Sequence, residues 1–100
     1  MSGKVYAVDI DETICEYKGE RKYENATPIA EHVDFINKLY DAGNTINYWT
    51  SRGMTTGINH LVLTTKQLKE WGCKYHKLAL TKPHYDFLID DKAMRIEELL

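Results

Sequence analysis

The sequence has few cysteines and no long apolar run. Cys15 and Cys73 are its two cysteines, and they lie far apart and outside any metal-ligand spacing. We expect both to be free thiols in a reducing compartment. No run approaches the roughly 20 apolar residues of a membrane helix, and no signal-peptide core follows Met1. These absences predict a cytoplasmic protein with no membrane partner.

Basic charge is not in excess either. The chain has 13 lysines and arginines against 15 acidic residues, and its formal net charge is −2. Because nucleic-acid-binding domains normally carry a basic excess, we expect no nucleic-acid partner. The fractions of 43% hydrophobic and 28% charged residues are those of a folded domain. One hundred residues have room for a single core, so residues 1–100 are predicted to form one domain.

Short apolar runs alternate with amphipathic stretches along the chain. The predicted strands are residues 4–10, 45–49, 75–80 and 85–89. The predicted helices run from Thr27, as N-cap before Pro28, to Gly43, from a start between Thr56 and Asn59 to Gly72, and from Ala93 to Leu100. The polar segment 12–26 is predicted to be an exposed flap loop. The alternation predicts an α/β fold, a three-layer Rossmann-like parallel sheet with helices on both faces.

Polar residues follow three of the predicted strands. The first strand ends in Asp9–Thr13, the second in Thr50–Gly53 and the last in Asp90–Asp91. Ligands of parallel α/β sheets bind beyond the carboxyl ends of the strands, so the three groups are expected to meet. Taken alone, Asp9-x-Asp11 is equally consistent with a solvated loop that begins with two acids. Its position directly after a buried strand favours a functional site.

The acidic residues predict a hard divalent cation. Four carboxylates at one edge of the sheet would repel one another unless a cation compensated them. Mg²⁺ fits one or two carboxylates together with waters and a phosphate. The predicted metal ligands are Asp9, Asp11, Asp90 and Asp91. Asp91 has an alternative role as the cap of the last helix, which leaves Asp90 as the better ligand.

The loop after the second predicted strand has groups that bind phosphate. Hydroxyls of Thr50 and Ser51 and free backbone N–H groups near a helix start suit phosphate oxygens, and Arg52 adds charge. Read alone, this stretch is an ordinary strand-to-helix loop. A lysine that balances phosphate charge is also expected. Lys82 is our choice, and Lys66 is its rival.

In combination, these residues resemble the haloacid dehalogenase (HAD) superfamily of phosphohydrolases. Residues 9–13 match its first motif, Asp-x-Asp-x-Thr, while Thr50 matches the second motif, Lys82 the third and Asp90-Asp91 the fourth. Tyr85 to Ala93, with Lys82-Pro83 before them, also resemble a small subgroup associated with bacterial capsule and surface-polysaccharide biosynthesis. Two features depart from the pattern. Glu12 stands where many members have glycine, and the interval from Lys82 to Asp90 is shorter than in many relatives.

The resemblance implies a mechanism. Asp9 would be the nucleophile that forms an aspartyl-phosphate, and Asp11 would be the general acid and base. Mg²⁺ would be held by Asp9, the backbone carbonyl of Asp11, and Asp90. The residues expected to contact the substrate phosphate are Thr13, Thr50, Ser51, Arg52 and Lys82.

The resemblance also frames expectations about size and substrate. HAD enzymes often carry a cap domain, and the intervals between the motifs leave no room for one here. The site is expected to be open, with Tyr17 and Tyr23 of the flap either touching substrate or packing under their own loop. An oligomer of identical chains that covers the site is a hypothesis. The expected substrate is a small phosphorylated metabolite, such as a sugar phosphate or polysaccharide precursor.

Other functions fit parts of the same pattern. A phospho-accepting signalling domain of the receiver type is also a small parallel α/β domain with acids around Mg²⁺. Such domains usually place the adjacent acids after the first strand, whereas here they follow the last one. A phosphotransferase that passes phosphate to an alcohol, and a catalytically silent binding module on the same fold, are the remaining alternatives.

Overall fold

Three parallel strands form the main sheet of this chain. The computed structural model describes residues 3–100, and the elements are numbered here along the chain. They are β1 (Val5–Asp9), β2 (Cys15–Glu16), β3 (Thr27–Pro28), α1 (Ala30–Asp41), β4 (Thr45–Trp49), α2 (Leu61–Glu70) and β5 (Lys77–Ala79). Short 3-10 turns lie at Tyr23–Asn25 and Ile96–Glu98.

The main sheet has the strand order β1-β4-β5. Asp9, the last residue of β1, lies opposite Trp49 of β4, and Trp49 lies opposite Ala79 of β5. Both pairings are parallel, so the carboxyl ends of all three strands meet at one edge of the sheet. The predicted α/β class with a parallel sheet is therefore confirmed, with three strands and two helices.

The core lies between the sheet and its helices. Ile46 and Tyr48 of β4 are fully buried, as the two-residue period of a strand requires when its apolar face is covered. In α1, Val33 and Ile36 are spaced by three and lie on the buried face of the helix, which packs on β4. The buried apolar side chains are Val8, Ile10, Ile14, Cys15, Val33, Ile36, Ile46, Tyr48, Leu68 and Ile96.

The start of α1 differs from the prediction. Thr27 and Pro28 do not cap the helix. They form β3, which pairs antiparallel with β2. The Thr27 hydroxyl donates to the Glu16 carbonyl oxygen (3.3 Å), and the N–H of Ile29 donates to the Ile14 carbonyl oxygen (2.8 Å). This pairing keeps the chain extended through Ile29, so the first helical residue is Ala30, two residues after the predicted Pro28.

The second helix also begins late. The side chain of Asn59 accepts a hydrogen bond from the N–H of Leu61 (2.9 Å), and α2 starts there and not between Thr56 and Asn59. Asn and Asp favour this local bond to the backbone, which sets a helix start. Gly72, with φ of 72°, follows the helix as predicted.

The chain after β5 corrects two predictions. Residues 85–89 do not form a strand, and 93–100 contain only the 3-10 turn Ile96–Glu98 instead of a helix. A strand needs a paired neighbour, and an isolated helix of eight residues is too short to be stable by itself. Within this segment, Ile96 is the residue that packs into the core.

Cys15 and Cys73 are free thiols, as predicted. None of the helices within residues 3–100 is both long and apolar enough to cross a membrane.

Candidate active site

Asp9 and Lys82 meet at the carboxyl edge of the sheet. The N–H of Lys82 donates to the carbonyl oxygen of Thr50 (3.1 Å), which fixes the chain after β5 beside the end of β4. From there the Lys82 ammonium reaches Asp9, with its Nζ 3.3 Å from Oδ1. The parallel order of the strands thus brings together residues 73 positions apart in the sequence.

The side chain of Lys82 is held by aromatic rings and by charge. Its ammonium lies 5.6 Å from the ring centroid of Trp49 and 5.1 Å from that of Tyr85. Burial lowers the pKa of Lys82, but a hydrogen bond with Tyr85 and the charge of Asp9 outweigh it, so the pKa is raised. Lys82 therefore stays charged at neutral pH. Lys66 instead points to solvent from α2 and pairs with Glu70 at 3.8 Å.

Asp9 faces the solvent side of this edge. Its side chain is 36% exposed, and the Thr13 hydroxyl donates to its Oδ2 at 3.5 Å. Burial raises the pKa of Asp9, and the charge of Lys82 offsets this only in part. The Asp9 carboxylate is thus incompletely compensated, and a further cation near it would stabilise its charged form.

Asp11 has a different environment, because Arg52 holds it. The guanidinium donates to both carboxylate oxygens, through Nη2 to Oδ1 (2.8 Å) and through Nε to Oδ2 (3.0 Å). Its Nη1 donates to Thr64 (3.1 Å) and Gln67 (2.6 Å) of α2. The Arg52 side chain is fully buried. This arrangement is a bidentate ion pair whose arginine is anchored by a helix.

The remaining contacts of Asp11 also favour its carboxylate form. The Tyr17 hydroxyl donates to Oδ1 at 2.5 Å, and the Cys15 thiol approaches it at 3.5 Å. Burial raises the pKa of Asp11, but the hydrogen bonds and the charge of Arg52 lower it by more, so the pKa lies below its ordinary value. Burial and the charge of the Asp11 carboxylate raise the pKa of Cys15 to about 12, so this thiol is inert at neutral pH.

A cavity of about 400 Å³ opens in front of the two aspartates. This size is in the range of small-molecule sites. Charged side chains of both signs line it, namely Asp9, Asp11, Arg21 and Lys82. Ser51 and His84 add polar groups. Because Asp11 is already neutralised by Arg52, the cations at the cavity wall face mainly Asp9. Since Lys82 pairs with Asp9 and Arg21 with Glu12, an anion would enter this cavity together with a further cation.

The predicted flap is pinned over this cavity. Tyr23 lines it and lies under the Arg52 guanidinium, with 4.8 Å from the ring centroid to Cζ. The carbonyl oxygen of Tyr23 accepts a hydrogen bond from the Gln67 side chain (2.6 Å), which ties the flap to α2. Tyr17, also in the flap, donates a hydrogen bond to Asp11 and does not line the cavity. Of the two tyrosines that were candidates for substrate contact, Tyr23 is the one at the cavity wall.

Glu12 occupies a backbone conformation that favours glycine. Its φ is 64°, in the left-handed region. Glycine, which the sequence comparison expected in place of Glu12, would adopt this backbone conformation without steric cost. The Glu12 carboxylate pairs with Arg21 at 3.6 Å on the surface of the flap.

Several predicted site residues lie behind the cavity or away from it. Thr50 is buried, and its hydroxyl accepts from the N–H of Arg52 (3.2 Å). Asp90 and Asp91 are fully exposed and do not line the cavity. Within residues 3–100, no three His, Cys, Asp or Glu side chains are grouped closely enough to hold a metal ion. The fourth predicted motif is therefore not brought to the first.

The structure adds residues that the sequence did not single out. Thr55 and Thr56 line the cavity from the loop after β4, and His84 and Tyr85 line it from the chain after Lys82. Arg21 lines it from the flap. His84 and Tyr85 come two and three residues after the predicted Lys82, and this closeness in sequence was the available signal that they line the site. Arg21 was one of several charges in a polar loop, and nothing in the sequence distinguished it.

The donor set at the cavity suits Mg²⁺ in part. Asp9 offers a carboxylate whose charge is only partly compensated. The side chain of Asp11 is committed to Arg52, which leaves its backbone carbonyl as the donor. One carboxylate and one carbonyl, with waters and a substrate phosphate, are oxygen ligands of the kind that Mg²⁺ takes. A second carboxylate would complete the set predicted from the sequence.

Comparison with known proteins supports the fold. The structure is similar to the crystal structure of a target protein from Vibrio cholerae, with a TM-score of 0.82 and 25% sequence identity. The match covers 95% of this chain and 85% of the Vibrio protein, whose name states no activity. No protein-family model matches the sequence, and no curated protein matches it. The function is therefore argued from the site.

Proposed function

We propose that this chain is a Mg²⁺-dependent phosphohydrolase of the HAD type that cleaves a phosphate monoester through an aspartyl-phosphate on Asp9. The observation that carries the proposal is the pair formed by Asp9 and Lys82, 3.3 Å apart at the wall of a cavity that Arg21 also lines. A carboxylate nucleophile needs a nearby cation that admits an anionic substrate. Lys82 supplies it.

In the first step, an oxygen of Asp9 attacks the phosphorus atom of the substrate. The bond from phosphorus to the ester oxygen breaks, and the leaving oxygen takes a proton from water in the cavity, because Arg52 holds Asp11 in its carboxylate form. Lys82 stabilises negative charge on the transferring phosphoryl oxygens. Ser51 and Arg21, both on the cavity wall, are placed to bind the other phosphate oxygens.

In the second step, water hydrolyses the aspartyl-phosphate. Asp11 accepts a proton from the water, the bond between the Asp9 oxygen and phosphorus breaks, and inorganic phosphate leaves. Arg52 stabilises the carboxylate form of Asp11 through two hydrogen bonds, which is the form that a base requires. We therefore assign Arg52 as a positioning residue for Asp11 and not as a phosphate ligand.

Mg²⁺ would be held by Asp9 and the backbone carbonyl of Asp11, whereas Asp90, the further ligand expected from the sequence, lies outside the cavity. When bound, it orients the phosphate and reduces the repulsion between that group and the anionic nucleophile. Of the two lysine candidates, Lys82 is favoured because Lys66 pairs with Glu70 on the outer surface of α2.

The substrate class follows from the size and charge of the cavity. A volume of about 400 Å³ suits a small phosphorylated metabolite, and a sugar phosphate or polysaccharide precursor agrees with the resemblance of residues 82–93. Tyr23, Tyr85 and His84 line the cavity and would contact the part of the substrate that leaves. We further propose a capless Rossmann-like core, with the flap 12–26 as the local cover of the site.

Phosphate release from a panel of phosphate monoesters tests the proposal. The wild type is assayed with Mg²⁺ and with EDTA, beside Asp9→Asn, which keeps the size of the side chain and removes its charge. We expect release that needs Mg²⁺ and falls at least 10³-fold in the variant, because a covalent nucleophile has no substitute. Release that persists in Asp9→Asn would show that another group is the nucleophile.

The same assay separates the alternative functions. Stable phosphorylation by a small phosphodonor without turnover would indicate a receiver-type domain. Product phosphorylated on an added alcohol would indicate a phosphotransferase. A folded protein that binds phosphate esters and neither releases nor retains phosphate would indicate a binding module.

A further inference from the structure

Helix α2 turns two polar side chains toward the interior of the molecule. Thr64 and Gln67 are three positions apart, so they lie on one face of the helix, and both are buried. A buried hydroxyl or amide costs free energy unless its polar groups have partners. The groups that these two side chains bind therefore explain why polar residues are stable there.

The amide of Gln67 joins two elements that are far apart in the sequence. Its Oε1 accepts a hydrogen bond from Nη1 of Arg52 (2.6 Å), and its Nε2 donates to the carbonyl oxygen of Tyr23 (2.6 Å). A guanidinium only donates and a carbonyl oxygen only accepts, so a single orientation of the amide satisfies both neighbours. Gln67 thus links the loop after β4 to the flap.

The two elements that Gln67 joins carry different parts of the candidate site. Arg52 donates to both carboxylate oxygens of Asp11. Tyr23 lines the cavity from the flap, and its ring centroid lies 4.8 Å from Cζ of Arg52 and 4.9 Å from the ring centroid of His60. A change at Gln67 would therefore reach both Asp11 and a wall of the cavity.

Thr64 provides a reference for this bridge. Its hydroxyl accepts a hydrogen bond from the same Nη1 of Arg52 (3.1 Å). Among residues 3–100, the Thr64 side chain forms no hydrogen bond with the flap. Thr64 thus binds Arg52 alone, whereas Gln67 binds both Arg52 and Tyr23.

We propose that Gln67 is a positioning residue that holds Asp11, through Arg52, and the flap, through Tyr23, in one arrangement. This inference rests on the proposed function, in which Asp11 is the base of the hydrolysis step and Tyr23 contacts the part of the substrate that leaves. The bond to Arg52 then supports hydrolysis of the aspartyl-phosphate, and the bond to Tyr23 supports substrate binding. Each bond should therefore have its own kinetic effect.

Variants of Gln67 separate the two bonds in steady-state kinetics. Gln67→Leu removes both, so we expect kcat to fall about 10-fold and KM to rise about 5-fold, because the base and a wall of the cavity are both displaced. Gln67→Glu keeps an oxygen for Arg52 but turns a second oxygen toward the carbonyl oxygen of Tyr23. Its kcat should stay within about 3-fold of wild type, while its KM should rise as in Gln67→Leu.

Two neighbouring threonines of α2 complete the comparison. Thr64→Val removes an acceptor of Arg52 only, so it should lower kcat and leave KM unchanged. Thr65→Val is the matched control, since Thr65 is exposed on the same helix, and it should behave as the wild type. A fall in kcat for Gln67→Glu as large as that for Gln67→Leu would overturn the proposal, because the retained bond to Arg52 would then have no effect.

The fraction of enzyme phosphorylated on Asp9 distinguishes positioning from a general loss of structure. Acid quenching during steady-state turnover should give a larger phosphorylated fraction in Gln67→Leu than in the wild type, because the step that uses Asp11 as base is slowed most. Partial unfolding would lower this fraction together with kcat. A fraction at or below that of the wild type would therefore contradict the assignment.

Hydrogen exchange tests the bridge without reference to activity. Peptides that cover residues 17–26 contain Tyr23 and the 3-10 turn that it begins. Their exchange should be at least about 5-fold faster in Gln67→Leu and in Gln67→Glu, while peptides of β1 and β4 keep the wild-type rates. Thr64→Val should leave exchange in the flap unchanged. Wild-type exchange of the flap in both Gln67 variants would show that Gln67 does not hold it.

The two proposals fail in different ways. If the wild type releases no phosphate and the Gln67 variants still loosen the flap, the proposed function is wrong and Gln67 remains the residue that holds the flap. If the wild type is an active phosphohydrolase and the Gln67 variants match it in kcat, KM and exchange, the proposed function stands and the role of Gln67 is wrong.

Discussion

At the residue scale, Asp9 and Asp11 lie two positions apart and differ in their electrostatic environment. Asp9 has one cation, Lys82, and an open side toward the cavity. Asp11 has both oxygens occupied by a buried arginine. The pKa of Asp9 is raised because burial dominates, and the pKa of Asp11 is lowered because Arg52 dominates over burial. Such divergence is typical of acid pairs with separate chemical roles.

Lys82 and Lys66 provide a matched test of the phosphate-binding lysine. Replacing Lys82 with Ala should lower kcat/KM at least 10²-fold, because the only ammonium beside Asp9 within residues 3–100 is lost. Lys66→Ala should change kcat/KM less than about 2-fold, since this side chain is 70% exposed and pairs with Glu70. Steady-state kinetics on the best substrate measures both. Equal effects of the two substitutions would contradict the assignment.

Arg52 should matter for stability as well as activity. Arg52→Met keeps much of the volume but leaves Asp11 without its partner, and breaking a buried pair in this way should cost about 3 kcal/mol. Arg21→Met breaks a surface pair with Glu12 at 3.6 Å, where the cost should be at most about 1 kcal/mol. Urea unfolding of the three proteins gives the comparison. A cost for Arg52→Met as small as that for Arg21→Met would mean that the ion pair does not hold the loop.

At the scale of elements, the loop between β4 and α2 shapes one wall of the cavity. Gly53 has φ of 85°, and a Cβ placed on it would clash with the backbone carbonyl oxygen of Ile58. Gly57 has φ of 74° and open space around the same position. The two glycines share a backbone conformation and differ in the room that they have.

Alanine at these two glycines should therefore have unequal effects. Gly57→Ala should cost about 1 kcal/mol for the left-handed backbone, and Gly53→Ala should cost about 3 kcal/mol because the loop must also move. Gly53→Ala should further reduce activity, since this loop presents Ser51 to the cavity. Urea unfolding and kcat/KM are the measurements. Similar unfolding free energies for both variants would show that the Gly53 contact relaxes without cost.

Local sequence signals predicted the elements that have neighbours to pair with or pack on. β1, β4 and β5 lie within the predicted strands, and α1 and α2 lie within the predicted helices. Thr27 and Pro28 carried the preferred residues of a helix start, but pairing with Cys15 and Glu16 overrode that preference. The run 85–89 had the composition of a strand. Whether it forms one depends on a partner edge, which composition does not encode.

The site was predictable where it depends on strand ends. Asp9 and Lys82 meet because β1 and β5 end at one edge. The sequence selected Lys82 as a lysine that balances phosphate charge, whereas Asp90 and Asp91, which were expected at this edge, do not line the cavity. The bidentate hold of Arg52 on Asp11 was not predictable, because it depends on Thr64 and Gln67 of a helix packed behind the loop. Arg52 was expected to face the phosphate, and its full burial reflects those tertiary contacts.

At the scale of the whole molecule, the exposed segment 83–95 adjoins the cavity, because His84 and Tyr85 of this segment line it. A chain of 100 residues has little core to spare, so apolar residues left in water and an unpaired strand edge both weigh on its stability.

Direct detection of phosphorylated Asp9 tests the central claim most closely. The wild type and Asp9→Asn are mixed with substrate and Mg²⁺, quenched in acid within one turnover, and digested for peptide mass spectrometry. The account predicts one added phosphoryl group on the peptide that contains Asp9 in the wild type, its loss on treatment with hydroxylamine, and no such group in Asp9→Asn. Turnover of substrate with no phosphoryl group on that peptide, or with the group on another residue, would contradict the account.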